Sequence, residues 1–229
     1  MKNDFNFTEG EIILIDKPLD WTSFDVVNKI KFALKKKIGQ IKIGHAGTLD
    51  PKATGLLILC TGKKTKEIQQ IQDADKTYTG SIFLGATTVC FDTEKEVSAT
   101  FDISNITIDE IKTNAATFIG EQQQFPPIYS AVKIEGKRAY DLARAGKEVE
   151  VKSKSITIKK FDLTKVELPL IDFKVECTKG TYIRSLANDF GARLNNGAYL
   201  HALRRTKIGK FDVADAFTVE EFMEKIVSL

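Results

Sequence analysis

Asp50 has the least ordinary surroundings of any carboxylate in the chain. It lies in Gly44-His45-Ala46-Gly47-Thr48-Leu49-Asp50-Pro51-Lys52-Ala53-Thr54-Gly55, where three glycines and a proline fall within twelve residues. Such a stretch can take turns and close approaches that a Cβ atom would obstruct. A carboxylate in a shaped loop can serve as nucleophile, general base or general acid. The same pattern has a plainer reading, because Asp-Pro opens turns and the Asp side chain often bonds only nearby backbone. Composition and spacing leave the two readings open.

The remaining reactive side chains narrow the chemistry. Cys60, Cys90 and Cys177 are odd in number and lack C-x-x-C spacing, so neither a disulfide framework nor a zinc site is expected. Each sits in or beside an apolar stretch, where cysteine behaves as a small buried hydrophobe. His45 and His201 are too few for a histidine-based metal centre, and no metal is predicted.

The net charge of +3 conceals an uneven distribution. Residues 31–49 hold five lysines and no acid, and residues 193–210 hold Arg193, Arg204, Arg205, Lys207 and Lys210 and no acid. Each block alone reads as a solvated face; together in space they would favour a polyanion. No basic or apolar leader opens the chain, and no apolar run nears the roughly 18 residues that span a bilayer, so the expected compartment is the cytoplasm.

Elements must position Asp50, and the periodicity supplies them. Leu56 to Cys60 reads as a short buried strand directly after the loop, and Glu11 to Ile15 as another. Thr22 or Ser23 caps a helix with Phe24, Val27, Ile30 and Leu34 at helical spacing. Lys64 to Ile71 suits a short helix and Lys76 to Leu84 a strand. Thr107 with Glu110, and Thr218 with Glu221, have capping-box spacing, the first followed by Ile111, Ala115 and Phe118 on one face. Tyr129 to Ile134 reads as a strand and Ala139 to Ala145 as a helix. Ile156, Ile158 and Phe161, then Ile171, Phe173 and Val175, alternate as two paired strands around Pro169. A helix over Ile183 to Leu194 and a strand over Tyr199 to Lys207 follow. Without a regular βαβ rhythm, the expected class is α+β with a mixed, largely antiparallel sheet.

Several segments, in order over nearly the whole chain, resemble the TruB family of tRNA pseudouridine synthases. They are Asp16-Lys17-Pro18 with Trp21-Thr22-Ser23, the Gly44 to Gly55 loop running into Leu56 to Gly62, and Lys76-Thr77-Tyr78-Thr79-Gly80. Further along come Phe125 to Lys133, Gly136 with Tyr140 and Ala143 to Gly146, Gly180-Thr181-Tyr182-Ile183-Arg184-Ser185-Leu186-Ala187, and Leu203-Arg204-Arg205. Periodicity and charge alone do not name this family.

The resemblance implies isomerisation of uridine 55 in the tRNA T loop to pseudouridine, with no cofactor and no metal. Asp50 would be the catalytic carboxylate, acting either on C1′ or on the C2′ proton. Burial would raise its pKa unless a cation compensates, and Arg184 is the candidate. Tyr78 would lie against the flipped uracil, and His45 would support the disrupted stack. Tyr182 and Leu203 would line the base pocket, while Lys17 and Pro18 brace the loop.

Phe125 to Glu150 resembles the family's thumb-like insertion, with Lys133, Lys137, Arg138 and Arg144 available to phosphates. The partners implied are the tRNA T arm, with no guide RNA and no membrane, and a monomeric protein. Residues 1–229 would form one catalytic domain without a PUA domain. Two departures stand out: Asp20 replaces a usual glycine, and Lys64 a usual alanine. The competing reading is a tRNA-binding and folding protein in which catalysis is secondary or absent.

Overall fold

The structure, a computed structural model, describes residues 5–127, 133–134, 137–138 and 152–227, the two short pairs by backbone alone. The expected Tyr129 strand is described only at its end, and the Ala139 to Ala145 helix and most of the thumb-like segment lie outside the described residues. The chain forms two compact units, one holding residues up to Tyr78 and from Arg204 onward, the other Thr79–Leu203.

The first unit contains β1 (Ile12–Lys17), α1 (Ser23–Ile38), β2 (Ile43–His45), β3 (Ala53–Thr61), α2 (Ile68–Asp73) and the start of β4 (Lys76–Leu84). The second unit holds the rest of β4, β5 (Ala86–Thr88), β6 (Val97–Thr100), α3 (Ile108–Ala116), β7 (Gly120–Gln124), β8 (Lys133–Ile134) and β9 (Lys137–Arg138). It continues with β10 (Lys154–Glu167), β11 (Leu170–Cys177), α4 (Ile183–Arg193) and the first part of β12 (Ala198–Ile208). The chain returns to the first unit within β12 and adds β13 (Phe211–Asp212), β14 (Phe217–Thr218) and α5 (Val219–Val227).

In the first unit the strand order is β14-β1-β3-β12, with β2 beside β3 and β13 beside β12. β1 runs antiparallel to β3, from Ile12 opposite Cys60 to Lys17 opposite Gly55, and parallel to β14. The apolar run Leu56 to Cys60 is continuous because β3 is covered on both faces. Successive side chains of a strand point oppositely: Leu57 and Leu59 join Ile13, Ile15, Ile30, Leu34, Phe222 and Ile226. Leu56, Ile58 and Cys60 pack with Ala46, Ile71 and Ile208. Each large apolar side chain so buried contributes about 1.5–3 kcal/mol.

Thr22 caps α1 through a reciprocal capping box with Asp25. The inward stripe is Ser23, Val26, Val27, Ile30 and Leu34. Phe24, expected on that face, is instead 67% exposed, because Ser23 occupies the inward place at the helix start. The expected helix over Lys64 to Ile71 is two pieces, a 3-10 turn at Gly62–Glu67 followed by α2.

In the second unit the order is β12-β4-β11-β10-β7. The two alternating segments pair antiparallel as expected, Phe161 opposite Val175 and Val166 opposite Ile171. Phe118, Phe161, Phe173 and Phe190 stack or meet edge to face in the core behind them. Thr107 and Glu110 form the anticipated capping box of α3. Gly80 lies so close to β12 that a Cβ there would stand 2.3 Å from the Ala202 carbonyl oxygen. The fold is α+β, its sheet pairings antiparallel apart from β1 with β14 wherever direction is assigned within these units. No described helix is long and apolar enough to cross a membrane.

Candidate active site

The loop carrying Asp50 joins β2 to β3, and its backbone is anchored on both sides of the carboxylate. On the near side, Ser23 at the start of α1 accepts from the Leu49 amide at 2.9 Å and donates to the Leu49 carbonyl at 3.2 Å. One buried hydroxyl thereby satisfies both backbone groups of the preceding residue, which would otherwise be costly to bury. On the far side, the Ala53 amide donates to the Asp50 carbonyl at 3.1 Å and closes a tight turn.

Lys17, at the end of β1, is completely buried. Its ammonium donates to the carbonyls of Pro18 (2.8 Å), Trp21 (2.6 Å) and Pro51 (3.5 Å), so it joins the β1–α1 turn to the residue after Asp50. Burial pulls the Lys17 pKa down to about 8, while the charges of Asp50 and Asp20 hold it from falling further. The Asp20 amide donates to the Pro51 carbonyl at 2.9 Å. Asp20 itself takes a left-handed conformation (φ 63°), which aspartate adopts more readily than most residues. The turn is therefore made without glycine, and Lys52 pairs with the Asp20 carboxylate at 2.7 Å.

Beneath the loop lies Arg205 of β12, only 2% exposed. Its Nε donates to the Leu56 carbonyl (2.8 Å), Nη1 to the Thr48 carbonyl (3.3 Å) and Nη2 to the Gly47 carbonyl (3.1 Å). The guanidinium also hydrogen-bonds to the Tyr78 side chain and interacts with the charge of Asp50. Burial lowers the Arg205 pKa from the usual guanidinium range, and these two neighbours oppose the fall. β12 approaches because position 55 is glycine at φ 102°: a Cβ there would meet the Arg205 carbonyl oxygen at 2.3 Å. The half-buried Asp50 thus interacts electrostatically with two buried cations, Lys17 and Arg205.

His45, last residue of β2, is half-buried. Its pKa is lowered chiefly by burial and further by Arg205, with the Gly47 backbone acting in the opposite sense, which favours a neutral ring at pH 7. Tyr78, on β4, is buried. Asp50, His45, Tyr78, Lys17 and Pro18 therefore all belong to the first unit.

Arg184, Tyr182 and Leu203 belong to the second unit. Arg184, on α4, is buried; its Nη1 donates to the Cys90 carbonyl at 3.3 Å and its Nε lies 3.6 Å from the Asp92 carboxylate. Tyr182 precedes α4, and Gln124 clasps its backbone, accepting from the amide at 2.8 Å and donating to the carbonyl at 3.0 Å. Leu203 is half-buried on β12.

Sequence reasoning passed over Asp92 and Gln124, read Ser23 only as a possible helix cap within the Trp21-Thr22-Ser23 motif, and counted Arg205 only in the basic block and the Leu203-Arg204-Arg205 motif. A signal for Arg205 was present: adjacent arginines in an alternating strand face opposite ways, so in a central strand one must point inward. Arg204 takes the other face and binds the Asp16 carboxylate through two bonds of 2.9 and 2.6 Å. The basic block at 193–210 consequently offers solvent fewer free charges than its composition suggests.

The sequence matches the family described as TruB family pseudouridylate synthase, N-terminal domain, over residues 35–183. The tRNA pseudouridylate synthase B C-terminal domain matches residues 184–228. Similar curated proteins include the tRNA pseudouridine synthase B of Flavobacterium johnsoniae, 51% identical over 96% of this chain and 97% of its own length. That of Chloroherpeton thalassium is 54% identical over 96% and 91%. Among solved structures, a chain of a Cbf5-Nop10-Gar1 complex superposes with a TM-score of 0.72 at 29% identity. The match covers 95% of this chain and 54% of that one. On its sequence and on its fold, this chain belongs to the TruB family of pseudouridylate synthases.

Proposed function

We propose that this protein isomerises uridine to pseudouridine in tRNA, at position 55 of the T loop, with Asp50 as the catalytic carboxylate. The observation that carries the reading is the way the Asp50 loop is held. Ser23, Lys17 and Arg205 fix its backbone from three sides and place two cations in electrostatic contact with one carboxylate. The tRNA pseudouridine synthase B of other organisms matches nearly the whole chain.

The reaction breaks the bond between N1 and C1′, turns the uracil and joins C5 to the same sugar carbon; C5 then gives up its proton and N1 ends protonated. Substrate and product share one formula, so no net oxidation or hydrolysis is required. Asp50 acts ionised, by attack on C1′ or by taking the C2′ proton. When the entering base excludes water, desolvation would favour the neutral acid, and the charges of Lys17 and Arg205 oppose it. Arg184 supplies a further guanidinium to the carboxylate, an assignment resting on the Tyr182-Ile183-Arg184-Ser185 motif.

The uridine must leave its stack, at a cost of roughly a few kcal/mol. Tyr78 receives the flipped base, where stacking on an aromatic ring is worth about 1–3 kcal/mol. A neutral His45 supports the vacated stack, Tyr182 and Leu203 line the base pocket, and Lys17 and Pro18 brace the loop. The protein acts in the cytoplasm as a monomer, without guide RNA or cofactor.

Asp50→Asn keeps the size and most of the hydrogen bonding of the side chain while removing its charge. It is expected to lower pseudouridine formation on a T-arm stem-loop by at least about 10³-fold, with RNA affinity within about threefold of wild type. Chemical mapping of pseudouridine and a filter-binding titration read the two quantities. Conversion by the variant at a near-normal rate would remove Asp50 from the chemistry. Binding without conversion by the wild type would point to a tRNA-folding protein.

A further inference from the structure

Arg205 is one of the largest fully buried side chains in the molecule, and burying a guanidinium is costly unless its donors are used. They are used on four acceptors, two in the Asp50 loop, one on β3 and one on β4. Gly47, Thr48 and Leu56 bracket Asp50, while Tyr78 sits on β4. We propose that Arg205 is a positioning residue: its one rigid guanidinium couples the Asp50 loop to the Tyr78 hydroxyl, so that carboxylate and ring meet the same nucleoside in a fixed relation.

The proposal rests on the reading of Asp50 and Tyr78 given above and deepens it. A guanidinium suits this task because its five N–H groups lie in one plane with fixed angles. Displacing any acceptor strains the bonds to the others, and the loop and the ring cannot drift independently. A lysine at 205 would keep the charge, but its single nitrogen cannot span loop carbonyls and phenol together. A misplacement of about 1 Å can cost on the order of 10²-fold in rate, so a fixed relation between the two groups is worth a buried charge.

The alternative is that Arg205 only fills the core. A filler affects stability, and any variant that still folds keeps its turnover. A positioning residue affects kcat while RNA binding, made elsewhere, stays near normal.

The test uses Arg205→Lys and Arg205→Gln in the full chain, with folding checked by circular dichroism and thermal unfolding, and steady-state turnover on a T-arm stem-loop. Arg205→Lys is expected to lower kcat about 10²-fold with KM within about threefold of wild type, and Arg205→Gln to lower kcat at least as far. A folded Arg205→Lys with kcat within threefold of wild type overturns the proposal. In a double-variant cycle, Arg205→Lys with Tyr78→Phe is expected to lose at most about threefold beyond the worse single variant, and fully additive losses overturn the coupling.

If neither substitution at 205 folds, Tyr78→Phe alone removes one acceptor. The Leu49 and Ala53 amides should then exchange hydrogen at least about tenfold faster, and unchanged exchange overturns the proposal. Failure of the wild type to convert uridine would overturn the underlying reading; normal turnover by a folded Arg205→Lys would overturn this inference alone.

Discussion

At the residue scale the site uses buried cations whose bonds go to backbone carbonyls. Lys17 shows the consequence for pH. Its folded pKa of about 8 lies below the ordinary 10.5 that it regains on unfolding. Below pH 8 both states carry the proton and the cost of burying the charge is present in full. Between about 8 and 10.5 the unfolded chain binds the extra proton, so stability from this group rises with pH across that window. Urea unfolding at pH 7.5 and pH 10 should show wild type gaining relative to Lys17→Met. A gap between the two proteins that stays constant would show that Lys17 does not titrate there. The bracing geometry of Lys17 follows from its place at the end of β1, which the apolar alternation before it already marks. Its three acceptors come from a turn that periodicity cannot describe.

At the element scale, two central strands touch because particular positions lack a side chain. Gly55 combines a left-handed φ of 102° with a backbone neighbour that a Cβ would meet at 2.3 Å. Gly39, closing α1, has φ 82° and no atom within 4 Å of its virtual Cβ. Gly55→Ala is therefore expected to cost about 2–4 kcal/mol, from strain plus forced displacement of β12, while Gly39→Ala costs about 1 kcal/mol. Equilibrium urea denaturation measures both, and equal losses would refute the close-approach argument. Helix starts, alternating strands and capping boxes were readable from sequence because they depend on neighbours within a few positions. The exposed Phe24 and the break between the 3-10 turn and α2 were not, because packing of other segments decided them.

At the scale of the whole molecule, charge is spent in two ways. Some cations are internal, as Lys17, Arg184 and Arg205 are; others, such as the lysines at 31, 35, 36, 37 and 42, stand exposed. The exposed set is the one available to phosphate groups, and contacts of that kind release counterions on binding. Affinity for a T-arm stem-loop should fall by about 10–100-fold between 50 and 200 mM salt, while kcat at saturating RNA changes less than about twofold. These values correspond to a few phosphate contacts and an internally held reaction centre. A kcat that falls in step with affinity would mean that screened surface charge controls the chemical step.

The linear order of residues by itself determined the α+β class, the capped starts of α1 and α3, the alternating strands β10 and β11, the three buried cysteines and the family to which the Asp50 loop points. Each of these depends on local spacing or on a contiguous motif. Only the tertiary structure decided that Arg205, from a strand more than 150 positions away, lies under that loop, and that Arg184 donates to the Cys90 carbonyl and forms an ion pair with Asp92. The reason is physical: a buried charge is stable only where acceptors converge on it, and acceptors from distant segments converge only once the chain has folded.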